Sequence, residues 1–283
     1  NLVVKIILAS VLIILVPVAI NKLLLKEVFQ IWGFDENTGR ALRGIASGLV
    51  LSPLLYVWFY SRLYREKLAE LEFGNAARGL LGGVLLASLV LLPVIIVFRI
   101  FGIITSFEYV QPEQLWYGAA MILVLAATEE LFFRGVLYKI IEARYSWPIA
   151  ILVTAFFFTA SHLTNDNFTV ISVLSVVAGS LILGLLFTWG RSLWMPVAFH
   201  FSWNMIQALM GLSVSGLSLF PGTAMFKVEM AGSALLTGGD FGLENSLPVI
   251  FLLLAISFFL ISRIRNSIGK DTGKGVVSVS AIL

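Results

Sequence analysis

Apolar residues in this chain gather into long runs separated by short polar connections. Because a helix rises about 1.5 Å per residue, roughly 20 mostly apolar residues cross a hydrocarbon layer about 30 Å thick. Runs of that order fall at 2–20, 41–60, 79–103, 116–138, 147–163, 168–189, 194–212 and 246–262. The pattern predicts an all-α polytopic membrane protein, a bundle of about eight transmembrane helices. Residues 1–263 form a single integral membrane domain on this reading, and 264–283 a polar, disordered cytoplasmic tail. Neither an internal repeat nor a soluble domain is evident. No small-x-small cleavage site follows the first run, so it is read as a span and not as a signal peptide.

Residues at the ends of the runs agree with this. Trp32, Trp58, Trp116, Trp147, Trp189 and Trp194 lie near predicted boundaries, where an interfacial belt places indoles, and Trp203 alone sits inside a run. Pro148, Pro196 and Pro248 stand near segment starts, where the missing N–H costs nothing, while Pro17, Pro53 and Pro93 lie deeper and are expected to kink their helices. The small residues Gly44 with Gly48, and Ser180 with Gly184, would allow close helix crossings.

Composition sharpens the class. Hydrophobic residues make up 59% of the 283 and charged residues 12%, against about a quarter charged in an average soluble domain, and the mean hydropathy is +0.98. The 19 basic residues exceed the 16 acidic ones by three and cluster at the ends of runs, which assigns the excess to membrane topology and leaves nucleic acid out as a partner. With eight spans, Arg62, Arg65, Lys67, Arg78, Lys139, Arg144, Arg191, Arg263, Arg265, Lys270 and Lys274 share one side, and Lys22, Lys26, Arg40, Arg43 and Lys227 the other. Both termini are therefore expected to be cytoplasmic, in an integral, multi-pass membrane protein. Residues 61–72 interleave charges with Leu63, Leu68 and Leu71, which suits a short helix on the cytoplasmic interface, or a solvated extension of the second span.

Chemistry has to come from residues that hydropathy forbids. The chain has no Cys and only two His, which removes disulfides and thiolate chemistry and allows at most one His-dependent site. The run 116–138 holds Glu129, Glu130 and Arg134, which together oppose insertion by roughly 9 kcal/mol on insertion scales. Glu130 and Arg134 are i,i+4 in the favourable order for an intrahelical ion pair, which leaves Glu129, about 100° away around the helix, free for chemistry. His162 ends the fifth run one turn after Phe158, and His200 lies one turn before Asn204 in the seventh, on the same face. A single buried polar cavity explains all four residues.

Glu129-Glu130-x-x-x-Arg134, Phe158-x-x-x-His162 and His200-x-x-x-Asn204, in that order on consecutive apolar segments, resemble the three-motif signature of the CPBP family. That family comprises the type II CAAX prenyl endopeptidases and the bacteriocin-processing or self-immunity proteins, also called Abi. The resemblance covers about 116–210 and implies an eight-helix intramembrane endopeptidase whose buried polar catalytic cavity opens to the cytoplasmic side and to lipid. It implies Glu129 as the base that activates water, with His162 holding the same water, His200 and Asn204 as oxyanion donors, and Glu130, Arg134 and Phe158 as structural or orienting residues. The expected partners are membrane lipid and a membrane-associated or lipidated peptide or protein. No cofactor is required on this reading; in a zinc-dependent version Glu129, His162 and His200 would be the ligands. A further alternative is a self-immunity or peptide-binding protein without required proteolysis.

Other intramembrane protease classes do not fit. Neither His162 nor His200 is followed by Glu, so no HExxH site exists. Thr237-Gly238-Gly239-Asp240 is not a GxGD motif, and Gly211-Leu212-Ser213 has no matching His for a rhomboid-like site. A transporter would call for duplicated halves with broken helices.

Overall fold

The computed structural model describes residues 2–63, 68–218 and 222–272. Each predicted run coincides with a helix. We label these α1 (Leu2–Ile31), α2 (Glu36–Arg62), α3 (Ala76–Ile100), α4 (115–142), α5 (Trp147–His162), α6 (Val170–Gly190), α7 (Trp194–Leu209) and α8 (Leu247–Thr272). Among the described residues five of them, α1, α2, α3, α6 and α8, are long and apolar enough to cross a membrane, which makes the chain an integral membrane protein. The expected count of eight spans is not reached by that measure. Helices α5 and α7 have 16 residues each, about 24 Å of rise, and α4 carries its ionisable residues in mid-helix.

Several helices depart from α geometry where the sequence demands it. Pro17 and Pro53 each stand second in an α-helical stretch that directly follows a π-helical one, Val11–Leu15 and Ile45–Leu51. The wider turn accommodates a ring that lacks an N–H and crowds the carbonyl one turn back. Pro93 lies within the continuous α3. Helix α4 runs as α-helix from Leu115 to Glu130, as π-helix from Leu131 to Tyr138 and as a final α turn, Lys139–Glu142.

The helices around α4 and α7 are brought together by small residues. A Cβ on Gly48 of α2 would stand 2.7 Å from Val124 Cγ1 and 3.1 Å from Thr128 Cγ2 of α4, one residue before Glu129. The expected close crossing at Gly44 and Gly48 is thus present. A tighter one, at Gly79 and Gly83, joins α3 to α7: a Cβ on Gly83 would lie 2.4 Å from the Met195 carbonyl oxygen and 2.6 Å from the Phe199 nitrogen. Backbone rests on backbone there, so α3 fixes the depth of the helix that bears His200 and Asn204.

Three regions differ from expectation. The interfacial helix expected over 61–72 lies outside the described residues at 64–67, and the part that is described is not such a helix. Ala69–Leu71 and Phe73–Asn75 are 3₁₀ turns, Leu68 and Leu71 pack on the protein core, and Glu70 is buried. Glu70 bonds Tyr56 and Lys139, which explains why this polar stretch folds inward. Secondly, a two-stranded antiparallel sheet joins β1 (Ile104–Tyr109) to β2 (Phe226–Met230), with Phe107 opposite Val228 and Tyr109 opposite Phe226. It ties the connection after α3 to the long connection after α7. Thirdly, α8 continues past Arg263 to Thr272, so the first nine residues assigned to a disordered tail are helical, and 273–283 lie outside the described residues.

Candidate active site

Two of the three ionisable residues of α4 pair within the helix. Arg134 Nη1 donates to Glu130 Oε1 at 2.9 Å with both side chains fully buried. The pair expected from i,i+4 spacing therefore forms, at the junction where α4 turns from α- to π-helix. Arg134 Nη2 donates to the Ser180 hydroxyl at 2.8 Å and to its carbonyl at 3.0 Å, so Ser180, expected at a helix crossing, serves the guanidinium. The same guanidinium lies 5.0 Å over the ring of Phe158, an arrangement that stabilises a cation shielded from water.

Glu130 makes a second contact that spacing did not foretell. Its Oε1 lies 2.9 Å from Nδ1 of His200 on α7. A carboxylate already bonded to Arg134 accepts here, so Nδ1 carries the hydrogen and the ring is turned with Nε2 outward. Nε2 faces Glu129, 3.9 Å from Oε2. The Glu129 side chain is 24% exposed, yet its Oε2 is buried and takes no hydrogen bond from any described residue. Glu129 is thus the carboxylate left over, and the imidazole it meets is that of His200.

Of the four residues expected to share a cavity, His162, His200 and Asn204 line one of about 40 Å³, together with Phe158, Ser175, Trp203, Ser215 and Glu244, while Glu129 is not on its wall and meets it through His200. That volume suffices for a few water molecules. His162 is held by its Nδ1, 2.8 Å from the Phe158 carbonyl oxygen, and its ring lies against that of Phe158 at 4.6 Å between centroids. Phe158 in turn presents its ring to His200 at 6.0 Å, so this one aromatic spaces the two imidazoles. Asn204 is buried, lines the same cavity and makes no side-chain hydrogen bond to a described residue.

The residues that zinc would use are not gathered into a ligand set. Among the described residues no group of three His, Asp or Glu side chains is placed to hold one metal ion, although Glu129 comes within 3.9 Å of His200.

Sequence reasoning missed Glu244. It lies in the connection after α7, which offered no motif, yet its buried carboxylate lines the same cavity. A signal was present in Trp203, the one indole inside an apolar run. A buried indole N–H needs an acceptor, and Trp203 Nε1 donates to Glu244 Oε2 at 2.7 Å.

No curated protein and no solved structure matches the chain. Residues 111–206 match the family model described as type II CAAX prenyl endopeptidase Rce1-like. The matched segment begins just before α4 and ends two residues after Asn204, so it contains all three sequence motifs and every contact between Glu129, Glu130, Arg134, Ser180 and His200. Over these four helices, about a third of its length, the chain is similar to the type II CAAX prenyl endopeptidase family.

Proposed function

We propose that the protein is an intramembrane endopeptidase that cleaves a peptide bond in a membrane-associated or lipidated peptide, with both termini on the cytoplasmic side. The observation that carries this reading is the unpartnered Oε2 of Glu129 facing His200 Nε2 at 3.9 Å, with His200 also on the wall of a cavity that has room for water. A water bridging that gap would give a proton to the carboxylate and attack the scissile carbonyl carbon. His162, on the cavity wall with Nδ1 held by the Phe158 carbonyl, helps to hold that water through Nε2. The oxygen that gains charge in the tetrahedral intermediate is met by the Asn204 amide and by Nε2–H of His200 in its doubly protonated form, whose Nδ1–H stays on Glu130. When the C–N bond breaks, the proton taken by Glu129 passes to the leaving amine nitrogen, and the products are a carboxylate and an amine.

Glu130, Arg134 and Phe158 orient this set. The bond from Glu130 fixes the His200 ring, as a carboxylate commonly fixes an imidazole in hydrolytic sites. We infer that no metal is required, because each role has a protein group and the three available ligands are not gathered together. The family match to a prenyl endopeptidase supports an S-prenylated peptide as the probe.

The test uses the full chain in lipid nanodiscs and an internally quenched peptide ending in S-farnesylcysteine followed by three residues. Cleavage by the wild type, at one bond, and its loss in Glu129→Gln with unchanged folding is the expected result. A Glu129→Gln protein that cleaves at the wild-type rate overturns the assignment. No cleavage by the wild type overturns the proposed activity on this substrate class.

A further inference from the structure

One buried carboxylate at the cavity takes no part in the chemistry above. Glu244 collects four hydrogen bonds: from the Ser215 N–H at 2.9 Å and hydroxyl at 2.7 Å on Oε1, and from Trp203 Nε1 at 2.7 Å and Gln207 Nε2 at 3.1 Å on Oε2. Those donors fill the acceptor sites of a carboxylate. Its backbone is tied as well, since its N–H donates to Gln207 Oε1 at 3.2 Å and its carbonyl accepts from Ser175 of α6 at 2.7 Å. The chain can bring the side chain inward because Gly242, at φ +121°, makes the turn; a Cβ there would lie 2.3 Å from the Ser213 carbonyl oxygen.

Where these donors sit on α7 gives the arrangement its meaning. Trp203 immediately precedes Asn204 and Gln207 follows it by three residues, so the two α7 bonds to Glu244 straddle the amide that carries the oxyanion role. His200, Asn204 and Gln207, at i, i+4 and i+7, form one stripe. A free asparagine amide works as an oxyanion donor only if its helix cannot roll or shift, since about 1 Å of misplacement costs about a hundredfold in rate.

We propose that Glu244 is a positioning residue for the hydrolysis: by gathering Trp203, Gln207 and Ser215 on one carboxylate it holds the Asn204 segment of α7 against the cavity. This rests on the peptidase reading and adds a residue outside the matched segment 111–206. Trp203→Phe removes one donor while keeping the ring that stacks on Phe199, and Ser215→Ala removes another from the opposite side. On the quenched farnesyl peptide each is expected to lower kcat by about tenfold with KM within about threefold, the signature of an interaction that matters in the transition state. In an Asn204→Ala background the same substitutions are expected to change kcat by less than about twofold, because residues acting through one group are not additive. An anchor that merely stabilised the fold would instead multiply its loss with that of Asn204→Ala, and that result overturns the proposal, as does wild-type kcat in both single variants. Should Trp203→Phe fail to fold, the Ser215→Ala cycle decides alone. A wild-type chain inert toward the peptide defeats the peptidase reading and this inference together; an active chain with a multiplicative cycle defeats the inference only.

Discussion

Glu130 reaches His200 across the α4–α7 contact with Oε1 at 2.9 Å from Nδ1, and through that bond the ion pair of one helix sets the ring orientation on another. The adjacent carboxylate has no such duty. Two neighbouring glutamates, both inside an apolar helix, are thereby divided between architecture and chemistry.

Glu129→Gln and Glu130→Gln should consequently fail in different ways. Loss of Glu129 as base is expected to cut kcat/KM on the farnesyl peptide by about 10²–10⁴, with an unchanged thermal unfolding midpoint. Glu130→Gln leaves the Arg134 guanidinium buried without its counter-charge, which costs about 3–5 kcal/mol, and is expected to lower both the unfolding midpoint in nanodiscs and activity. Equal thermal stability of the two variants would show that the buried pair is not the structural one.

Asn204→Ala removes an unpartnered amide and opens no bonded group. Its expected effect is a fall of about 10²–10³ in kcat, with little change in KM or in expression. Steady-state kinetics on the same peptide read this directly; a change confined to KM would move Asn204 from oxyanion donor to substrate binding.

Exhaustive chelation should leave hydrolysis intact. Dialysis against a chelator followed by metal analysis and assay checks it, and stoichiometric zinc whose removal abolishes turnover would replace the glutamate mechanism with a metal-assisted one.

Gly83→Val probes how α7 is held at its depth. With the Met195 oxygen only 2.4 Å from a Cβ on that glycine, the α3–α7 contact must open, and overpacking of this kind costs about 1–3 kcal/mol. Reduced stability together with a larger proportional loss in kcat is expected, because Phe199 and His200 move with the backbone. Gly74, where a Cβ would meet nothing within 4 Å, supplies the control: Gly74→Ala should leave both unchanged.

What could be read from the chain follows the range of the interaction. The Glu130–Arg134 pair is a matter of four residues on one helix, and spacing sufficed. The shared cavity was legible because His162, His200 and Asn204 are rare polar groups in apolar runs and have few ways to be satisfied. The bond from Glu130 to His200 spans 70 residues, and helix periodicity says nothing about which helices touch. Glu244 was hidden for another reason, since it lies in a connection where neither a helical nor a strand period organises its neighbours. The small sheet was visible in principle, as Phe226, Val228 and Met230 alternate with Lys227 and Glu229, but the strand is short and its partner begins directly after a long helix. Leu68 and Leu71 were misassigned because leucines alternating with charges look alike whether they face lipid or a protein core.

The π-helical stretch Leu131–Tyr138 makes the length of α4 itself a tuned quantity. Downstream of it Lys139 bonds Glu70, and Glu142 forms a two-pronged pair with Arg191 at 2.6 and 2.9 Å; upstream stand Glu129 and Glu130. Because a π turn takes up more residues than an α turn, removing one residue within 131–138 would let the stretch relax to an ordinary α-helix with Lys139 and Glu142 still near their partners, whereas a deletion in the α-helical part of α4, where nothing can absorb it, would turn one side against the other by about 100°. The helix therefore carries its slack in 131–138, and a one-residue deletion there should be far better tolerated than the same deletion between Leu115 and Thr128.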